Sequence, residues 1–218
     1  MSALPAVASA ATIDFLKMGN AEIVTVAGVR NVHAWAGEMT WAWLDGAPAG
    51  SDQTFYSYCV DLLNNETDPQ YNVSIKSTDG LLTDGMVTTA GAPERAAWLF
   101  NNFAADAHAS SNGALAAGLQ LAIWEVLFDD GLSLLYNSSV GNRFYVTAAS
   151  SDALAAGNSY LWQLGQVGSG YMSSQATWLD VPSGKGQDQI TTPEPATLLL
   201  LGTGLVGLTT RRRNNSQA

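Results

Sequence analysis

Thr54-Phe55-Tyr56-Ser57-Tyr58-Cys59-Val60 is the stretch on which the fold turns. Aromatic, β-branched and small polar residues alternate through it, the period-two pattern of a half-buried strand. Strand-like composition continues on both sides. Upstream lie Ile23-Val24-Thr25-Val26 and the region of Trp35, Trp41 and Trp43; downstream lies Tyr71-Asn72-Val73-Ser74-Ile75. Asp45-Gly46 and Asn64-Asn65 supply turns between them. Residues 12 to about 77 therefore read as a set of strands. At Pro93 the period changes. Pro93 and Glu94 open a helix that turns Ala97, Trp98, Leu99, Phe100 and Phe103 toward a core. Asn112-Gly113 interrupts, and residues 115–128 form a second helix. Residues 143–147 read as a strand, Ser151-Asp152 as the cap of a helix over 153–164, and residues 176–179 as a closing strand. Residues 183–192 are polar and contain Gly and Gln, the composition of a linker. The expectation is an α+β fold, a β-sandwich or barrel with a mostly helical insertion over about 93–165.

The two ends carry different information. Thr192-Pro193-Glu194-Pro195 precedes an apolar run over 196–210, and Arg211-Arg212-Arg213 follows it. Two prolines make a stiff, extended stem that no helix enters from upstream. The apolar run supplies a C-terminal transmembrane helix, and three arginines held on the cytoplasmic side orient it. This order of Pro-Glu-Pro, apolar helix and basic cap, over 193–213, resembles the PEP-CTERM sorting signal of Gram-negative bacteria. The resemblance implies an exosortase-type processing protease as partner. It also implies transient anchoring in the inner membrane, followed by the cell surface or the extracellular space. The run is shorter than the ~20 residues of a comfortable span, which suits a transient anchor. At the other end, Ala6-Val7-Ala8-Ser9-Ala10-Ala11 has the small-x-small pattern of a signal-peptidase site, with cleavage after Ala10. Residues 1–10 then read as a truncated signal-peptide remnant and 12–182 as the ectodomain.

With Arg211, Arg212, Arg213 and Glu194 set aside, six of nine basic residues remain against 18 of 19 acidic ones. That balance argues against nucleic acid or anionic lipid as partners. About 180 residues suffice for one domain with a real core. Cys59 is the only cysteine, so an exported chain makes no internal disulfide and its thiol needs another explanation.

Two short motifs carry the chemistry. Tyr58-Cys59-Val60 sets a thiol between an aromatic and an aliphatic residue. Leu119-Gln120-Leu121-Ala122-Ile123-Trp124 sets a carboxamide on an otherwise apolar helix. Each alone has an ordinary structural explanation, a buried thiol acting as a small hydrophobe and a helix Gln that is solvated or satisfies a backbone group. Paired, 61 positions apart, they resemble the signature of bacterial thioester domains. The likeness extends through Ala96-Ala97-Trp98-Leu99-Phe100-Asn101 and Glu125-Val126-Leu127-Phe128-Asp129. It implies an internal thioester between Cys59 and Gln120, shielded from water by Tyr58 and Trp124. A thiolate is the nucleophile and leaving group that turns an inert carboxamide into an acyl donor. The expected function is single-turnover attachment to amines or hydroxyls on a matrix or surface target, such as an extracellular polysaccharide. That is a tether rather than an enzyme, acting as a monomer and without cofactor. The alternative is a non-covalent structural protein of the extracellular polysaccharide matrix with a free Cys59 thiol.

Other candidates carry less. His33 and His108 show no zinc-like spacing with Cys or carboxylates, though either could serve as general base toward a hydroxyl, and a Cys59–His protease dyad is a further arrangement. Asp129-Asp130 before Gly131 fits calcium, or more ordinarily a helix end. Trp35, Trp41 and Trp43 could stack on sugar rings, but Trp41 and Trp43 share one strand face, the mark of a core. Asn65-Glu66-Thr67, Asn72-Val73-Ser74 and Asn137-Ser138-Ser139 match the glycosylation pattern, which in a bacterium says little.

Overall fold

The computed structural model describes residues 9–48, 50–64, 69–78, 91–129, 131–139, 141–182 and 184–191. The elements run β1 (Ser9–Gly28), β2 (Val32–Asp45), β3 (Thr54–Cys59), β4 (Gln70–Ser77), α1 (Ala92–Ser110), α2 (Gly113–Phe128), β5 (Phe144–Ala148), α3 (Ser151–Gln166), β6 (Thr177–Asp180) and β7 (Gln189–Thr191). A short 3-10 helix, Gly168–Ser173, follows α3. Six strands close on themselves in the order β2-β3-β7-β6-β4-β1, because β1 also pairs with β2. The choice between sandwich and barrel thus resolves to a six-stranded barrel. All its pairings are antiparallel. β1 is long enough to serve two partners on one edge: Ser9 through Asp14 pair with β4, and Thr25 through Gly28 pair with β5 outside the closed circle.

The helices are inserted between β4 and β6, interrupted only by β5. α1 begins after Gly91 in the left-handed region, with Pro93 in its first turn, where a missing N–H costs nothing, and Glu94 where the helix dipole favours an anion. α2 is capped by Asn112, whose side chain accepts from the Ala114 N–H at 2.9 Å. Apart from Gly113 and Leu115, every residue of α2 is buried, as expected for a helix that is apolar all round. It packs against α1, α3, β1 and β2. Its contact with α3 is made where Gly118 meets Ala156 and Gly157: a Cβ on Gly118 would come within 2.7 Å of the Ala156 Cβ. α3 starts two residues earlier than the 153 its sequence suggests, and its cap is Ser150 rather than Ser151-Asp152, Ser150 Oγ accepting from the Ala153 N–H at 3.1 Å.

Two expectations change in detail. The stretch read as a polar linker, 183–192, contains β7, which sits in the barrel between β3 and β6. Its polar side chains are used internally. Gln189 Oε1 accepts from Ser57 Oγ (2.9 Å), which accepts from the Trp41 indole N–H (2.8 Å), and Asp188 accepts from the Val181 N–H (2.8 Å). At the other end, Ser9 and Ala10 already belong to β1, paired with Ile75 and Ser74, so cleavage after Ala10 would clip the first two strand positions. The three tryptophans divide: Trp41 and Trp43 are buried, whereas Trp35 is 56 % exposed. No helix among the described residues is long and apolar enough to cross a membrane. The apolar run 196–210 and the residues Pro193, Glu194, Pro195, Arg211, Arg212 and Arg213 lie outside the described residues.

Candidate functional site

Cys59 is the last residue of β3, and Gln120 lies in the middle of α2. The ladder between β2 and β3 ends at Met39 and Ser57. Two residues further on, the Gln120 carboxamide pairs with the main chain of Cys59 much as a neighbouring strand would. Cys59 N–H donates to Gln120 Oε1 at 3.0 Å, and Gln120 Nε2 donates to the Cys59 carbonyl at 2.6 Å. Both residues are buried, Cys59 at 3 % exposure and Gln120 at 1 %. A buried strand end requires partners for its N–H and C=O, and the helical insertion supplies both from one side chain.

The Cys59 thiol donates to the Asp61 carbonyl at 2.8 Å, and the Asp61 N–H donates back to Sγ at 3.3 Å. Asp61 itself is fully buried. Its carboxylate accepts from the Leu63 N–H (2.6 Å), the Asn64 N–H (3.3 Å) and Asn64 Nδ2 (2.5 Å), which fixes the turn that follows the cysteine. The same turn is held from the other side by Gln187 Nε2, which donates to the carbonyls of Asp61 and Asn64 at 3.0 Å each.

A cleft of about 240 Å³ opens beside Cys59. Phe15 and Met18 of β1, Trp35 and Met39 of β2 and Trp124 of α2 form its apolar walls, and His33, Asn64 and Gln187 add polar groups. Trp124 lies one turn after Gln120 on α2, is 1 % exposed, and its indole N–H has no partner among the described residues. Tyr58 does not line this cleft. Strand alternation turns it to the opposite side of β3, edge-on to Phe100 with ring centroids 5.9 Å apart, and its hydroxyl also lacks a partner among the described residues. Burial, then the nearby Glu38 carboxylate, push its phenol far above the ordinary tyrosine range. Of the two expected shields, Trp124 lines the cleft that Cys59 also lines, and Tyr58 does not.

His33 lines the cleft with Nδ1 3.0 Å from Thr25 Oγ1. His108 lies elsewhere, its Nδ1 2.7 Å from the Glu38 carboxylate and its ring stacked on Tyr56 at 4.6 Å. The Asp129 carboxylate accepts from the backbone N–H groups of Gly131, Arg143 and Phe144, which is helix-end and turn chemistry. The described residues hold no group of three His, Cys, Asp or Glu side chains arranged for a metal ion. Sequence reasoning missed the partners that come from far along the chain, Phe15, Met18 and Gln187, and also the buried Glu38. For Glu38 a signal was present: one carboxylate inside Trp35-Ala36-Gly37-Glu38-Met39-Thr40-Trp41, where strand residues are otherwise apolar or small.

Residues 191–213 match the PEP-CTERM protein-sorting motif. No curated protein and no solved structure matches the chain. The motif starts at Thr191, the last residue of β7. It implies an exported protein that is transiently anchored in the membrane, processed by an exosortase, a membrane protease, and displayed at the cell surface.

Proposed function

We propose that this surface-sorted chain is a single-use covalent tether, in which Cys59 and Gln120 form an internal thioester that a target nucleophile opens. The observation that carries this reading is the two-point contact of the Gln120 carboxamide on Cys59 at the edge of a cleft. That contact holds Cδ of Gln120 over the cysteine main chain, so the thiol needs to leave the Asp61 carbonyl and turn about its own side-chain bond to attack. Sγ then bonds to Cδ, the carboxamide nitrogen leaves, and the thiol proton goes with it as ammonia. The Cys59 N–H already donates to Oε1, the atom on which negative charge develops during this attack and during the later opening. Trp124 covers the bond from the cleft side. A target amine or hydroxyl attacks Cδ, the C–S bond breaks, and the nucleophile's proton passes to the Cys59 thiolate. The target stays attached through Gln120, so each molecule acts once.

A second reading has its own support. The Asp61 contacts keep the thiol occupied, and Gln120 has a sufficient structural duty in finishing the β3 edge. On that reading the protein is a non-covalent component of an extracellular polysaccharide matrix with a free Cys59 thiol. Methylamine separates the two. The full chain should take up one methylamine at Gln120 and expose one Cys59 thiol, in equal amounts. Cys59→Ala and Gln120→Ala should each abolish uptake, since each removes one half of the bond. Uptake that persists in either variant would place the label elsewhere and favour the free-thiol reading.

A further inference from the structure

We infer that the cleft beside Cys59 binds an uncharged sugar ring, so that the group delivered to the site is a hydroxyl rather than an ammonium. Three independent features lead there. First, no Asp, Glu, Lys or Arg lines the cleft among the described residues. An ion that entered would give up hydration without gaining a counter-charge from the described lining. A lysine ammonium and an anionic group are both disfavoured. Second, Trp35 stands on the wall at 56 % exposure, although its strand neighbours Trp41 and Trp43 are buried. An exposed indole face with Phe15, Met18 and Met39 beside it suits the C–H face of a pyranose. Third, His33, Asn64 and Gln187 set polar side chains on the same lining. A hydrocarbon ligand would cover those groups without pairing them, whereas a sugar offers oxygens around an apolar body. The volume, about 240 Å³, lies below the ~300 Å³ at the lower end of ordinary small-molecule sites, which points to one ring of a chain rather than several.

Binding itself is independent of the covalent chemistry; only the outcome rests on the thioester reading. If the bond exists, a hydroxyl of the seated ring attacks Cδ of Gln120, the C–S bond breaks, and the hydroxyl proton passes to the Cys59 thiolate. The product is an ester.

The test uses the full-length Cys59→Ala variant in a sugar-free detergent, which binds without reacting. Tryptophan fluorescence and saturation-transfer NMR would be followed with maltotriose, cellotriose, galactobiose and mannobiose, against Nα-acetyl-lysine amide and acetate. At least one neutral saccharide should bind at or below about 10 mM, with neither charged probe binding as well. Trp35→Ala, on an exposed position, should weaken that saccharide about tenfold. Failure of all four saccharides, equal binding of the lysine derivative, or parental affinity in Trp35→Ala would overturn the inference. Because the parent lacks Cys59, such a failure leaves the thioester reading untouched, and a missing thioester leaves this binding test untouched.

Discussion

Tyr58 and Trp124 share one defect in opposite surroundings. Both are almost fully buried, and each has a side-chain donor without a partner among the described residues. The Tyr58 hydroxyl lies on the closed side of β3, against Phe100 and close to the Glu38 carboxylate. The Trp124 ring instead borders the one open space that Cys59 also reaches among the pockets described. An unpaired buried donor costs about 1–3 kcal/mol wherever it sits. Inside a closed aromatic wall that cost is only a cost. The Trp124 N–H is equally closed off, but its ring also bounds the cleft and so shapes what can enter. The neighbouring depression on the other side of β2 makes the same point from charge. Lys17, Glu38 and His108 line it, but Glu38 is already paired with His108 and so keeps less to offer a ligand.

The largest effect expected on this contrast comes from Trp124→Ala. Removing a fully buried indole should cost about 3–5 kcal/mol of stability, read from denaturant or thermal melting. It should also speed spontaneous hydrolysis of the thioester, measured as the rate of thiol appearance. A stability loss with an unchanged hydrolysis rate would make Trp124 an ordinary core residue, no different in kind from Tyr58.

Tyr58→Phe is the smaller, opposite case. It removes a hydroxyl that pairs with nothing described, so stability near neutral pH should be unchanged or higher by about 1 kcal/mol. The effect should be larger in alkali. The folded-state pKa of Tyr58 is raised above its ordinary value of 10.0 by burial first and by Glu38 second. The folded protein therefore keeps a proton that the unfolded chain gives up. That contribution is complete below pH 10 and is lost as pH rises beyond it. Tyr56 and Tyr160 shift the same way, also chiefly through burial, so the decline will not vanish. Tyr58→Phe should make the fall of melting temperature above about pH 10 shallower. An unchanged slope would mean that the hydroxyl is solvated and that the contrast with Trp124 is misdrawn.

Local chemistry made most of the elements legible. Pro93, Asn112 and the alternation in 54–60 each act within a few residues of themselves, and the structure starts, caps or extends its elements there. β7 was illegible for a physical reason. Of Gln189-Ile190-Thr191 only Ile190 is apolar, and the strand is held by Ser57 and Trp41 from far upstream. The Cys59–Gln120 proximity could be named from the paired motifs, but not its form. Nothing near either residue shows that the β2 ladder stops at Ser57 and leaves a main-chain edge for a carboxamide to complete. The cleft depends on Phe15, Met18, Asn64, Trp124 and Gln187 meeting through the closure of the barrel, a tertiary fact that no window of sequence contains.

The intact mass of the purified, non-reduced chain bears most directly on the Cys59–Gln120 bond. Loss of ammonia on thioester formation should leave the wild-type protein about 17 Da below its sequence mass, with no titratable thiol, and Cys59→Ala and Gln120→Ala should show no such deficit. A wild-type chain at full sequence mass, with one thiol that titrates on unfolding, would contradict the covalent account and leave Gln120 as the residue that finishes the edge of β3.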